Sequence, residues 1–259
     1  MSEIAAPTVL FALGRPGCGK STAAKYIQQQ WRYVQNGQSY EAKEEEVEKD
    51  AYRIKDYTIL YEMFQQDRAG EDKTRRRFRD AIVHGEVLGF DVIDFTVLDE
   101  ALEKTVQAVV SCMKDALLSS RKKIIIVEFA RNDYKDVFEK LSTYLDSYLD
   151  GRFEPCSGRD LLSRSFFLFV EAPLPVCSQR IHERVKSPVR EDNHFVSDDI
   201  LRSYYEVDGR EYIQNGLGRD YEVDPAHIRV IDNDGSQGEF LKQIEAFLHE
   251  TLLGKVPAV

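Results

Sequence analysis

The nine residues Gly14-Arg15-Pro16-Gly17-Cys18-Gly19-Lys20-Ser21-Thr22 decide how the rest of this sequence is interpreted. They match a glycine-rich loop that ends in Lys followed by Ser or Thr. Because glycine has no Cβ, the backbone of such a loop can curl until several amide groups point at one anion. The pattern therefore predicts a phosphate-binding loop. The residues expected to bind are Gly14, Gly17, Cys18, Gly19, Lys20, Ser21 and Thr22.

The sequence on either side of this loop predicts the elements that the motif requires. Residues 8–13 form an apolar run typical of a buried strand, and residues 21–30 carry apolar side chains at helical spacing. A helix that begins beside the loop adds the positive end of its dipole to the site. Lys20 can then neutralise outer phosphates while the Ser21 hydroxyl ligates Mg²⁺, so we expect ATP and Mg²⁺ as ligands. An ordinary Gly/Pro turn between a strand and a helix is the alternative.

The composition predicts a globular protein with an acidic surface. The 259 residues are 42% hydrophobic and 31% charged, with a formal net charge of −10. This charge disfavours nucleic acid as a partner, and no apolar run approaches the roughly 20 residues of a membrane span. The four scattered cysteines have neither disulfide density nor metal-ligand spacing, which indicates the cytoplasm. A single domain is the ordinary expectation for an α/β chain of this length.

Five apolar runs are predicted strands, separated by segments with helical periodicity. They lie at 8–13, 52–55, 124–129, 166–171 and 227–231. Since helical crossovers make neighbouring strands parallel, we predict an α/β fold, a three-layer α/β/α sandwich with a mostly parallel five-stranded sheet. Residues 74–84, between the second and third of these strands, are predicted to form a basic helix.

Two acidic residues and an arginine follow predicted strands and are candidate site residues. Glu128 ends the clearest buried strand, where a phosphate-loop protein commonly places a carboxylate near the metal. It is predicted to bind Mg²⁺ together with Ser21, and a cap on the following segment is its alternative. Asp56 either lies at the ligand-binding edge of the sheet or caps the next helix. Arg131 either points into the same cleft or lies on the surface.

Basic side chains stand out against the acidic background in two places. The segment at 73–79 is strongly basic, and Arg180 and Arg184 lie four residues apart on one face of a predicted helix. Two guanidinium groups on one face repel each other unless an anion or acidic neighbours offset their charge. Both places are therefore candidates for holding a phosphorylated ligand, and surface charge is the alternative for the pair of arginines on the helix.

Taken together, these motifs resemble the nucleoside monophosphate kinase-like (adenylate/thymidylate kinase-like) group of P-loop kinases. The resemblance is carried by the phosphate loop, by Glu128, by the helix with its two arginines and by the turn at 231–236. It implies one domain over residues 1–259, with five parallel core strands. It also implies a helical acceptor-side insertion at about 38–95 and a lid at about 184–200.

The same resemblance implies roles for individual residues. Arginines of the lid helix hold the donor nucleotide in that group, which assigns Arg180 and Arg184 here, and the segment after the last strand lies beside the base, which assigns Asn233. Glu128-Phe129-Ala130-Arg131 is similar to the acid and arginine pair that several nucleoside and nucleotide kinases carry after their third strand. The predicted catalytic residues are Lys20, Asp56, Glu128, Arg131 and Arg184.

The function that follows is an ATP-dependent phosphotransferase, a kinase that moves the γ-phosphate of Mg·ATP to a small acceptor. A nucleotide or nucleoside is the first candidate, and Asp56 or Glu128 is expected to orient its hydroxyl. Two alternatives stay open: a kinase of a non-nucleotide metabolite, and a nucleotide-binding regulator that transfers nothing. The expected partner is the small phosphate acceptor, neither nucleic acid nor a membrane is expected, and a homodimer is compatible with the sequence.

Overall fold

The computed structural model describes residues 7–36, 50–70, 76–118, 123–149, 157–186, 195–207 and 209–254. Five of its strands form a central sheet, and two form a separate hairpin. The strands are β1 (Thr8–Leu13), β2 (Ala51–Lys55), β3 (Phe78–Val83), β4 (Glu86–Val92), β5 (Ile124–Phe129), β6 (Phe166–Glu171) and β7 (Ile228–Asp232). All five strands predicted for the central sheet are present, with bounds within one residue.

The helices alternate with the strands of the central sheet. They are α1 (Lys20–Asn36), α2 (Asp56–Ala69), α3 (Thr96–Leu117), α4 (Tyr134–Tyr148), α5 (Gly158–Arg164), α6 (Leu174–Arg184), α7 (Asp198–Tyr204), α8 (Leu217–Tyr221) and α9 (Gln237–Ala246). Short helical turns lie at Tyr212–Gly216, Pro225–His227 and Phe247–Leu252. No helix within the described ranges is both long enough and apolar enough to cross a bilayer.

The central sheet has the order β2-β5-β1-β6-β7, and all neighbouring strands are parallel. β1 lies in the middle and all of its residues are buried, because helices cover both faces. On one face Phe11 packs against Phe138 of α4, with ring centroids 5.8 Å apart. On the other face Leu10 belongs to the same cluster as Ile27 of α1 and Ile244 of α9. The predicted three-layer α/β/α sandwich is confirmed.

The parallel register brings three strand ends together at one edge of the sheet. Glu128 of β5 lies beside Ala12 of β1 on one side and Lys55 of β2 on the other. The phosphate loop follows β1 and Asp56 follows β2. Side chains that are far apart in the sequence therefore meet where ligands commonly bind in parallel α/β sheets.

The prediction of a basic helix at 74–84 is wrong, while the helical acceptor-side insertion at about 38–95 stays a prediction. Within the described residues, β3 and β4 form an antiparallel hairpin in this region. His84 and Gly85 form its turn, with φ values of 51° and 84°, and two left-handed residues are what a tight hairpin of this hand requires. The same interval also contains β2, which belongs to the central sheet, while residues 37–49 and 71–75 lie outside the described residues.

The hairpin is held by an aromatic cluster and by the segment that precedes α7. Phe90 of β4 stacks on Phe64 and on Tyr57 of α2, with centroids 5.1 and 5.6 Å apart. The Phe195 amide donates to the Leu88 carbonyl at 3.0 Å, and Phe195 forms a parallel bridge with Gly89. These contacts fix the hairpin above the carboxyl edge of β2 and β5.

Replacing Gly89 with alanine should loosen this attachment. A Cβ at this position would lie 2.1 Å from the carbonyl oxygen of Phe195 and 2.8 Å from its amide nitrogen, and both are backbone atoms. We expect Gly89→Ala to lower the free energy of unfolding by about 1–3 kcal/mol, measured by urea denaturation. Gly238→Ala is the control, because nothing lies within 4 Å of its Cβ position. Equal stability of the two variants would contradict the packing described.

Candidate active site

The phosphate loop is tightly packed, and its glycines are required by geometry. Gly14, Gly17 and Gly19 have φ values of 136°, 79° and 107°, in the region that side chains with a Cβ rarely adopt. A Cβ on Gly14 would lie 2.2 Å from the Val170 carbonyl oxygen, and one on Gly19 would lie 2.3 Å from Nδ2 of the Asn233 side chain. The loop is therefore curled against the ends of β6 and β7.

Two side chains hold the loop from outside. The Gly14 amide donates to the Tyr134 hydroxyl at 2.9 Å, and Asn233 Nδ2 donates to the Cys18 carbonyl at 2.7 Å. Tyr134, Asn233 and Cys18 are buried, and burial raises the pKa of both the Tyr134 hydroxyl and the Cys18 thiol. Both groups therefore stay protonated at neutral pH. Asn233 was predicted to lie beside the base of the donor nucleotide, whereas Tyr134 was not predicted as a site residue.

Lys20 and Ser21 point in different directions from the start of α1. Lys20 Nζ donates to the Arg15 carbonyl at 3.2 Å, so the ammonium group lies across the loop. The Ser21 hydroxyl donates to Glu128 Oε2 at 2.7 Å. Thr22, predicted as a further phosphate donor, is exposed in the first turn of the helix.

Glu128 is fixed by Arg53, a residue that the sequence analysis missed. Arg53 Nε is paired with Glu128 Oε1, and its Nη2 donates to the Ser21 carbonyl at 3.1 Å. Glu128 is 4% exposed, and a buried carboxylate needs such a partner because desolvation of an unpaired charge is costly. Arg53 lies in the middle of the predicted strand at 52–55, and Glu128 lies at the end of another predicted strand. This combination of a basic and an acidic residue in two predicted strands was the available signal for the pair.

Asp56 and Arg131 form a second buried ion pair at the same edge. Arg131 Nη1 and Nη2 lie 2.5 and 3.1 Å from the two oxygens of Asp56, and Arg131 also donates to the Leu98 carbonyl at 3.3 Å. Burial alone would lower the pKa of Arg131, but the Asp56 carboxylate outweighs this and raises the pKa above the ordinary arginine value. Arg131 thus points into the cleft, and the Asp56 side chain does not cap α2.

The predicted lid arginines are not part of this edge. Arg180 Nη2 lies 3.5 Å from Asn233 Oδ1, and its buried Nη1 has no partner among the described residues. Arg180 therefore lies on the side of the loop that Asn233 contacts. A buried guanidinium nitrogen there is suited to an anion or to another hydrogen-bond acceptor. Arg184 is half-buried at the end of α6, and it does not line the cleft formed by the described residues. Residues 187–194 of the predicted lid at about 184–200 lie outside the described residues.

Two arginines of the basic segment at 73–79, Arg77 and Arg79, are engaged with acidic side chains. Arg77 pairs with Asp67 and Glu100, at 3.4 and 2.9 Å. Arg79 pairs with the buried Asp91 at 2.7 Å. These two arginines hold the hairpin to its surroundings.

A cleft that is partly open to solvent lies between the phosphate loop, the hairpin and α7. Its charged and serine side chains are Lys20, Ser21, Lys55, Asp56, Glu128 and Arg131 around the sheet edge, and Asp91 on the hairpin. The remaining lining is mainly apolar and aromatic. Arg15 closes one side, because its Nε and Nη2 donate to the carbonyls of Tyr205 and Glu206 at 2.7 and 2.8 Å.

The residues present fit Mg²⁺ together with a polyphosphate. Mg²⁺ keeps most of its ligands as water and phosphate oxygens and takes only one or two from the protein. Ser21 and Glu128 supply two such oxygens, and the described residues contain no group of three or more His, Cys, Asp or Glu placed to hold a metal by themselves. When bound, Mg²⁺ would neutralise charge on phosphate oxygens.

Comparisons with known proteins support the fold. No protein-family model matches the sequence, and no curated protein is similar enough in sequence to match. A candidate kinase from Chloroflexus aurantiacus matches with a TM-score of 0.51 and 12% identity, over 97% of this chain and all of its own. Shikimate kinase from Acinetobacter baumannii and Kti12 from Chaetomium thermophilum were also found, at TM-scores of 0.42 and 0.47. Shikimate kinase is 12% identical to this chain, and the match covers 96% of this chain and 96% of its own. Kti12 is also 12% identical, and the match covers 93% of this chain and 97% of its own.

The parallel sheet, the curled glycine loop and the likeness to the Chloroflexus aurantiacus protein define the class. The chain has the α/β sandwich fold of P-loop kinases. The comparisons do not single out the nucleoside monophosphate kinase-like group within that class, so membership of it stays a prediction.

Removing one partner of the buried ion pair between Asp56 and Arg131 should be strongly destabilising. We expect Arg131→Leu to lower the free energy of unfolding by about 3–5 kcal/mol, because it leaves Asp56 buried and unpaired. The double variant Asp56→Asn/Arg131→Leu should recover part of the loss, as in a double-mutant cycle. Lys135→Ala is the control, since it removes an exposed pair with Glu139 at 3.8 Å and should cost less than about 1 kcal/mol. Urea denaturation measures all three, and an Arg131→Leu effect no larger than that of the control would refute the pairing.

Proposed function

We propose that this chain is an ATP-dependent phosphotransferase that moves the γ-phosphate of Mg·ATP to a hydroxyl of a small acceptor, with a nucleotide or nucleoside as the first candidate. The proposal is carried by one contact, the 2.7 Å hydrogen bond from the Ser21 hydroxyl to the Glu128 carboxylate. This contact lies where the phosphate loop opens into the cleft. The oxygens of a serine hydroxyl and a carboxylate are the ligands that Mg²⁺ takes beside phosphates.

The residues of the chain divide the work of phosphoryl transfer between them. Lys20 brings a cation to the outer phosphates, and the loop amides and the dipole of α1 add fixed positive charge. Arg53 holds Glu128 in place through Oε1, the carboxylate oxygen that the Ser21 hydroxyl does not contact. Because these groups are preorganised by hydrogen bonds, little reorganisation is needed as charge develops on the transferred group.

The acceptor side is served by Asp56. Its carboxylate lines the cleft and is oriented by Arg131 through two hydrogen bonds. A carboxylate held in this way can accept the proton of an acceptor hydroxyl, or orient that hydroxyl toward the phosphate. Glu128 is the second candidate for this role. The apolar walls of the cleft limit water, which favours transfer to the acceptor over hydrolysis.

The structural comparison agrees with this proposal at the level of the fold. The Chloroflexus aurantiacus protein is a candidate kinase, and at 12% identity its likeness concerns the fold alone. The site therefore carries the assignment. A cytoplasmic location and a homodimer remain predictions, and the two other functions considered above, a kinase of a non-nucleotide metabolite and a regulator without transfer, are separated by the assay that follows.

Lys20→Ala should remove the activity without unfolding the protein. We expect at least a hundredfold loss of Mg·ATP-dependent transfer, because a group that stabilises transition-state charge is lost, while the melting temperature changes little. Lys25→Ala is the matched control, since Lys25 is an exposed residue of the same helix. Transfer is measured with ATP and a panel of nucleosides, nucleotides and small alcohols. Undiminished transfer by Lys20→Ala would reject the mechanism, and nucleotide binding without any transfer by the unaltered chain would favour a regulator.

A further inference from the structure

The cleft beside Lys20 has two chemically different ends. Its polar end is the sheet edge, with Ser21, Asp56 and Glu128. Its other end lies under the hairpin and α7, where apolar and aromatic side chains form the walls. A ligand that fills this cleft must therefore place a polar group at the sheet edge and an apolar body beneath the hairpin.

Two stacked aromatic pairs form the walls of the apolar end. Tyr57 and Phe90 stack with centroids 5.6 Å apart and planes inclined by 6°. Phe95 and Tyr204 stack with centroids 5.0 Å apart and planes inclined by 9°. All four residues line the cleft. Rigid aromatic surfaces of this kind bind flat rings well, because a planar ligand covers them at a small cost in conformational entropy.

The cationic groups around the acceptor end are already neutralised. Arg131 is taken up by Asp56, Arg53 by Glu128, and Arg79 by Asp91, and all three acids line the cleft. Lys55, which also lines it, is likewise engaged within the protein. A phosphomonoester needs charge-assisted donors that match its charge. In the described part of the chain, the acceptor end instead presents three carboxylates, and each of them already forms an ion pair with an arginine.

We propose that the acceptor is an uncharged alcohol that carries a planar ring, of which a nucleoside is a simple example, and that a nucleoside monophosphate is a poor substrate. This inference rests on the proposed phosphotransferase function and narrows its acceptor. The ring lies between the two aromatic pairs and the hydroxyl points to Asp56. The hydroxyl oxygen bonds to the γ-phosphorus, the bond from that phosphorus to the β–γ bridging oxygen breaks, and the hydroxyl proton passes to a carboxylate and then to water. The products are ADP and a phosphomonoester.

A two-by-two set of acceptors tests the ring and the charge separately. Neutral ring-bearing alcohols (nucleosides and pyridoxine) are compared with anionic ring-bearing ones (the nucleoside 5′-monophosphates), a neutral alcohol without a ring (glycerol) and an anionic one (gluconate). With Mg·ATP and the full chain, phosphorylated product is measured. We expect at least one neutral ring-bearing alcohol to have a kcat/KM at least tenfold above every compound of the other three groups. Preference for a monophosphate, or for a compound without a ring, would overturn the inference while leaving the phosphotransferase intact.

Failure of the inference is distinguishable from failure of the function on which it rests. If Mg·ATP binds, as measured by calorimetry, and no neutral ring-bearing alcohol is phosphorylated, the inference is rejected and another acceptor class is required. If Mg·ATP does not bind to the folded chain, both are rejected.

Phe95→Ala gives a second test that does not endanger the fold, because Phe95 is 48% exposed. Loss of one stacking surface should raise the KM of the best neutral ring-bearing acceptor about tenfold, since stacking on an aromatic side chain is worth roughly 1–3 kcal/mol per base. The KM of Mg·ATP should not change. Tyr61→Ala is the matched control, because Tyr61 is 42% exposed and packs against Tyr57 of the other aromatic pair but does not line the cleft. An acceptor KM that changes equally in both variants would contradict the proposed ring site.

Discussion

The hydrogen-bonded link from Ser21 to Glu128 and on to Arg53 is the constraint on which the rest of this structure depends. It joins the first turn of α1 to the end of β5 and to the middle of the neighbouring strand β2. Since parallel strands in register bring their carboxyl ends together, one buried carboxylate can receive both a hydroxyl and a guanidinium. The phosphate loop is thereby placed at a defined distance from the acceptor side of the sheet.

Paired charge also explains how a chain with a net charge of −10 can have a site for anions. Asp56, Asp91 and Glu128 are buried and each has an arginine partner, so none of them projects an uncompensated field into the cleft. Lys20 then supplies its charge where the loop needs it. The hairpin and α7 cover the cleft, and Arg15 joins the loop to the end of α7 through two backbone carbonyls.

The elements that the sequence predicts best are those whose pattern is local. The β1 run, the glycine loop and the β5 run can each be recognised within a dozen residues, and the structure places them as expected. The hairpin at 78–92 was missed because its arginines indicated a basic helix, whereas Arg77 and Arg79 pair with acids that are remote or on the opposite strand. Arg53 and Tyr134 were missed for a similar reason, since their partners, Glu128 and the Gly14 amide, lie 75 and 120 residues away. Contacts at such separations depend on strand order, which periodicity alone does not determine.

The central claim is that the curled loop at 14–22 binds the polyphosphate of a nucleotide, and calorimetry with Mg·ATP tests it most directly. The account predicts saturable heat with a stoichiometry near one per chain, together with a rise in melting temperature that grows with ligand concentration. A pure, folded preparation that gives no heat and no rise in melting temperature at saturating Mg·ATP would contradict it.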